Sequence, residues 1–224
     1  MKYIFIVIAL VSQLISYEVE TVFGKDNQFG KVQTGELQIG TTGIVIKTFS
    51  NSSEAIISYS EVIEKDKVKF YDFETLKQNN LPRGLWKPQK GDRIRFKENY
   101  ERSFIIAKNF NSFVKIQKSF EKNWIHPDIF SATLNFIGNK TPLKEDFHYF
   151  CREYSIGLIY IGFTDEVKKI DCLSLKEIES FQMKLDSQDT QKPFYSRIKE
   201  IDSSWFSGTG DIKDYEKYYL NLIK

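Results

Sequence analysis

The chain has 224 residues, 41% of them hydrophobic and 15% aromatic, enough apolar material for one large domain or two small ones. Its 32 basic and 30 acidic residues leave a net charge of only +2. The signs are interleaved, as in Glu61-Val62-Ile63-Glu64-Lys65-Asp66-Lys67, which excludes the one-signed face of a nucleic-acid binder; no nucleic-acid partner is expected.

The first residues carry the strongest local signal. Lys2 is followed by an apolar run over residues 3–11 and then by Ser12-Gln13-Leu14-Ile15-Ser16. A positive start, a short apolar stretch and a small residue are the parts of a secretory signal peptide. Residues 1–16 are therefore expected to be a leader cleaved near Ser16, with the mature protein exported to the periplasm or cell surface. The run is shorter than the roughly 20 residues a membrane helix needs. No later stretch is long enough either, so the mature chain is expected to carry no membrane span. Export places Cys151 and Cys172 in an oxidising compartment. A disulfide between them would close a loop of about 20 residues and stabilise by roughly 3 kcal/mol. It requires Cα atoms within about 7 Å of each other, which spacing in the sequence leaves open.

Residues 17–102 read as β. Residues 31–39 alternate in part, and Gly40-Thr41-Thr42-Gly43 is a turn. Strands follow at 44–49, 54–65 and 67–73, the last with Val68, Phe70 and Asp72 assigned to one face. Residues 76–90 hold two prolines and a glycine and form a loop, after which Gly91-Asp92 opens a strand at 93–96. Short strands with no helix between them predict a small antiparallel barrel, SH3-like or OB-like.

Residues 103–185 read as an α/β domain, giving an α+β, two-part fold. Phe104-Ile105-Ile106-Ala107 is a strand, residues 127–137 a helix, and Pro142 the first turn of a helix capped by Thr141 and running to about Tyr154. A hairpin joins strands at 157–163 and 167–172. Ser174, with Glu177 three residues later, predicts a capped helix over 174–181. Residues 186–224 open on a polar linker and then carry aromatic-rich pieces that pack back on the body.

No catalytic apparatus is legible. His126 adjoins Asp128 at a helix start, but no nucleophile elbow accompanies them. Gly208-Thr209-Gly210 is too short to cradle a phosphate. His126, His148, Cys151 and Cys172 are the right types for zinc, yet their spacing matches no standard zinc module. Neither a metal nor another cofactor is expected, and the protein reads as non-enzymatic. Asn51-Ser52-Ser53 and Asn139-Lys140-Thr141 are glycosylation sequons. Arg83 and Trp86, on the 76–90 loop, are candidate contact residues, since exposed tryptophan and arginine suit a binding surface. The opposing reading buries Trp86 and Trp124 as plugs.

Four motifs carry a resemblance. They are Leu81-Pro82-Arg83-Gly84-Leu85-Trp86-Lys87-Pro88 before Gly91-Asp92, Trp124-Ile125-His126-Pro127-Asp128, Asp146-Phe147-His148-Tyr149-Phe150-Cys151 and Pro193-Phe194-Tyr195-Ser196-Arg197. In them the chain resembles the N-terminal domain of the bacterial plasminogen-binding PgbA family, over nearly the whole mature length. The resemblance implies an exported bacterial protein with a protein partner, host plasminogen, captured through lysine. It also implies Lys224 as the candidate ligand, because a kringle holds a terminal lysine by both its ammonium and its carboxylate. A periplasmic envelope or flagellar-assembly scaffold that uses the barrel and its tryptophan loop is the alternative.

Overall fold

The computed structural model describes residues 16–73, 86–188, 190–198 and 212–223. The expected leader up to residue 15, Arg83 with the first part of its motif, and Lys224 lie outside these residues.

The first half forms a seven-stranded antiparallel sheet. Its strands are β1 (Ser16–Glu18), β2 (Thr21–Phe23), β3 (Phe29–Lys31), β4 (Thr42–Thr48), β5 (Glu54–Glu64), β6 (Lys67–Asp72) and β7 (Arg93–Phe96), in the order β1-β7-β4-β5-β6-β3-β2. β1 pairs with β7 at one end of the sheet and β2 with β3 at the other. Between them the Val19 N–H donates to the Asp92 carbonyl (2.9 Å) and the Glu20 N–H to the Lys31 carbonyl (2.9 Å). One continuous run, residues 16–23, thus ties both ends together and curls the sheet round its core. That core is largely valine and isoleucine: Val19, Val32, Val45, Val62, Val68 and Ile94 are fully buried, with Phe70 and Phe96 beside them. β-branched side chains lose little freedom in strands and pack densely on a pleated surface. Asp72, assigned to the Val68–Phe70 face, is exposed where the strand ends.

The second half is a five-stranded sheet between helices. β8 (Arg102–Ile106), β9 (Asn123–Ile125), β10 (Leu158–Gly162), β11 (Glu166–Asp171) and β12 (Glu177–Gln182) lie in the order β12-β11-β10-β8-β9. β9, β8 and β10 run parallel, and β10, β11 and β12 antiparallel. Residues of β8 alternate between the two cores. Phe104 and Ile106 meet α2 (Pro127–Ile137), α3 (Lys144–Glu153) and α4 (Tyr215–Leu222), while Ile105 packs with Phe113 and Ile116 of α1 (Phe110–Ser119). The aromatic C-terminal residues Phe194, Tyr215 and Tyr219 fill the first of these cores.

Two expectations are corrected, and two further elements are found. Residues 174–181 are not helical: Leu175 turns with φ 55°, and β12 pairs with β11. Leu175, Ile178 and Phe181 repeat at helical spacing, but the open edge of β11 wins. Lys168 and Lys169 there meet Glu177 and Glu179 across the ladder at 2.8 and 3.0 Å. Helix α3 begins at Lys144 rather than Pro142, capped not by Thr141 but by the Asp146 carboxylate, which accepts from the Leu143 N–H at 2.7 Å. Helix α1 and strand β9 went unassigned between residues 107 and 127, although Asn109 caps α1 by accepting from the Ser112 N–H.

The two sheets meet at Asp171, the last residue of β11, which has no solvent exposure. Its Oδ2 accepts from the Thr42 N–H (3.0 Å), the Thr42 hydroxyl (2.8 Å) and the Tyr100 hydroxyl (2.6 Å), and its Oδ1 from the Leu173 and Ser174 N–H groups (2.9 and 3.0 Å). Close backbone approach seals the same seam. Gly157 lies so near Asn99 that an added Cβ would sit 2.4 Å from its carbonyl, so only glycine fits. Asp171→Asn replaces one acceptor oxygen with a donor that faces at least two donors in either amide orientation. It is expected to cost about 3 kcal/mol, and Tyr100→Phe about 1 kcal/mol, read as shifts of the urea midpoint at constant m-value.

Helix α4 is pinned by Glu216, whose Oε1 accepts from Lys108 Nζ (2.7 Å), the Thr164 N–H (2.8 Å) and the Thr164 hydroxyl (2.6 Å). The Lys108 and then the Thr164 hydrogen bonds pull its carboxyl down from 4.5 to about 2. A depressed carboxylate stabilises the fold above its unfolded pKa, and that contribution is lost as pH falls toward the folded one. With the Glu216 side chain 39% exposed, solvent screening reduces the effect to on the order of 1–2 kcal/mol. Stability is therefore expected to fall between about pH 4.5 and 2, and Glu216→Gln to flatten that limb in acid-denaturation curves.

Candidate binding cleft beside Trp86

Trp86 is 51% exposed, so it does not plug the barrel. Phe49, just beyond β4, meets it edge-on, with centroids 5.1 Å and planes 73° apart. This T-shaped contact steadies the indole, and about half of the residue still faces solvent. The backbone is anchored next door: Pro88 is buried and its carbonyl accepts from Asn27 Nδ2 (3.2 Å), while the Asp92 carboxylate accepts from the Gln89 N–H (2.8 Å).

The cleft in front of Trp86 has a volume of about 410 Å³. One wall is the tight turn Lys25–Asn27 with Gln28, where Asp26 and Asn27 both hold left-handed backbone, φ 58° and 56°. Asp and Asn tolerate that region better than other side chains do, and such strain concentrates where structure serves a ligand. The other wall is β6, with Lys69, Tyr71 and Asp72. Lys69 Nζ sits 4.8 Å over the Tyr71 ring, and Lys87 Nζ lies 3.5 Å from Asp72 Oδ1. Burial, then the hydrogen bond and charge of Glu61, push the Tyr71 phenol well up, so it stays a neutral donor to Glu61 Oε2 (2.6 Å).

The other residues singled out by sequence lie elsewhere. Trp124 is partly buried and packs edge-on against Tyr160 (5.2 Å, 75°), filling the core on the α1 side. His126 Nδ1 accepts from the Asp128 N–H at 3.2 Å and so caps α2. Burial lowers its pKa despite the Asp128 carboxylate. Burial raises the Asp128 carboxyl, but the Arg197 and Ser196 hydrogen bonds outweigh that and leave it below its ordinary value. The Ser196 hydroxyl donates to Asp128, not to His126, so this cluster ties the C-terminal segment to α2 rather than activating a nucleophile. Cys151 and Cys172 are joined in a disulfide with Cα atoms 5.8 Å apart, so neither thiolate is free for a metal. The disulfide fastens α3 beside Asp171. A second pocket of about 270 Å³ opens there, between Tyr59, Glu61 and Tyr71 of the first sheet and His148 and Arg152 of α3. Burial, then Arg152, lowers the His148 imidazole.

Sequence reasoning singled out Trp86 but not Asp26, Asn27, Lys69 or Tyr71, which share its cleft. The available signal was the turn composition Gly24-Lys25-Asp26-Asn27.

Fold and site together define a two-sheet α+β protein with a polar-walled cleft beside an exposed tryptophan. The sequence matches the family described as plasminogen-binding protein PgbA N-terminal over residues 15–223, and the chain belongs to that family. It is 30% identical over 200 residues to the plasminogen-binding protein PgbA of Helicobacter pylori strain 26695, and 29% identical to that of strain J99. Each alignment covers 84% of this chain and 43% of the relative, so the chain spans less than half the length of those relatives. No solved structure matches. Among the described residues, no helix is long and apolar enough to cross a membrane.

The contrast between the two tryptophans is testable. Trp86→Ala is expected to change stability by less than about 1 kcal/mol, as for an exposed residue. Trp124→Ala, which empties part of a core, is expected to cost about 3 kcal/mol. Thermal unfolding of both variants measures the difference.

Proposed function

We propose that this protein is an exported, non-enzymatic binding protein that captures plasminogen through lysine. The observation carrying this reading is the family match over residues 15–223, together with relatives that are named plasminogen-binding proteins. The exposed Trp86 and the Lys69 and Lys87 ammonium groups beside it supply a suitable contact face. An aromatic side chain on an anchored segment makes a strong contact residue because little entropy is lost when it is covered, and the ammonium groups add charge beside it. Arg83 and Lys224 complete the set of residues assigned to the partner. The curled first sheet is taken as a relative of the small SH3-like or OB-like barrels, many of which are binding modules.

Surface plasmon resonance of the purified protein against plasminogen, with and without 6-aminohexanoate as a lysine analogue, tests the reading. Binding that the analogue abolishes is expected. Lys69→Ala with Lys87→Ala, or deletion of Lys224, is expected to weaken it about tenfold, or 1.4 kcal/mol. Absence of binding, or binding indifferent to the analogue, overturns lysine capture.

A further inference from the structure

We propose that the Trp86 cleft is a carbohydrate-binding site that stacks a neutral sugar ring on the indole. The inference goes beyond plasminogen capture and does not depend on it.

The argument starts from charge. Asp26 and Asp72 oppose Lys69 and Lys87 around one opening, so the rim is balanced. A balanced rim gives no net attraction to an anion or a cation, and carboxylates facing the opening repel the phosphates of a single-stranded nucleic acid. The ligand that suits such a rim is polar and uncharged. The walls then supply what a polyol needs. Carboxylates accept from adjacent hydroxyls, and the amides of Asn27 and Gln28 both donate and accept. Lys69 donates in addition. Hydroxyl groups are strongly hydrated, so recognition needs several such groups preplaced in one geometry. Two features preplace them: the left-handed backbone at Asp26 and Asn27 and the Asn27–Pro88 hydrogen bond.

The indole supplies the remaining element. A sugar ring has one face made mostly of C–H groups, which packs on the electron-rich face of an aromatic ring. Trp86 offers that surface at 51% exposure, with Phe49 packed against it in a T-shaped contact. What sets Trp86 apart from other exposed aromatic rings is its place at the mouth of a cleft with polar walls. The volume of about 410 Å³ suits a disaccharide-sized ligand. The ring belongs either to an envelope polysaccharide or to a glycan carried on a protein; both present the same chemistry to this cleft.

The test is an array of neutral oligosaccharides that includes bacterial polysaccharide fragments and protein-derived glycans. It is followed by calorimetric titration of the purified full chain with the strongest binder. Binding is expected, and which half of the array responds identifies the source. Trp86→Ala is expected to weaken binding at least about tenfold, with far-ultraviolet circular dichroism unchanged. Asn27→Ala is expected to weaken it by a smaller factor, and 6-aminohexanoate to leave it unaffected, which separates this site from lysine capture. The proposal is overturned if no array member binds at millimolar concentration, or if binding survives Trp86→Ala. It is also overturned if a proline-rich decapeptide occupies the cleft and no saccharide does.

Discussion

Asp171 stands where the second sheet ends and the first begins, and its carboxylate collects five donors with no exposure to water. Its two oxygens divide the task. Oδ1 accepts from Leu173 and Ser174 and shapes the turn after β11, while Oδ2 reaches across to Thr42 and Tyr100. A buried carboxylate is expensive unless its lone pairs are filled. Burial pushes its pKa up and the Tyr100, Ser174 and Thr42 hydrogen bonds pull it back, with burial the stronger. Because an ionised carboxylate only accepts, the Thr42 and Tyr100 donors converge on one oxygen to form all three bonds. The neighbouring Cys172 is bonded to Cys151 of α3, and the Ser174 hydroxyl donates to the Gly40 carbonyl at 2.7 Å. Helix, hairpin and first sheet are therefore fixed within a few residues of one carboxylate.

That constraint reaches the cleft through β4. The strand starts at Thr42, held by Asp171, and runs to Thr48; the next residue, Phe49, is the prop for Trp86. The strand is paired with β5 along its whole length, with a register shift at Val45/Ile46, and with β7 from Gly43 to Ile46. The strand thus links the Asp171 seam at one end to the Phe49 contact with the indole at the other.

How much of this was legible follows from the range of the interactions. The strands at 54–64, 67–72 and 93–96 declared themselves by alternation and turn residues, which are local. So did α2, with Pro127 in its first turn and Gly138 as its left-handed C-cap. The helix expected at 174–181 failed because its apolar spacing was satisfied equally by an edge strand, and the lysines of β11 decided the matter from outside the segment. Asp171 gave no signal at all: its decisive partner Thr42 is 129 residues away. The cleft was half legible. A tryptophan beside two prolines marks a presented surface, whereas Asp26 and Asn27 gain meaning only once β3 and β6 bring their turn against Pro88.

The charge pattern sets the kind of recognition this surface can perform. With a net charge of +2 and interleaved signs, the protein has little long-range field to steer a partner. Encounter is then unassisted, and specificity falls to short-range groups: an aromatic face, paired carboxylates and ammoniums, and amides on strained turns. Lysine capture and sugar stacking would draw on the same face by different means. A lysine contact depends on an ion pair and weakens as salt screens it. A sugar on Trp86 is held by dispersion and neutral hydrogen bonds and is nearly insensitive to salt. A salt titration of binding therefore separates the two modes, since only the first depends on charges that salt can screen.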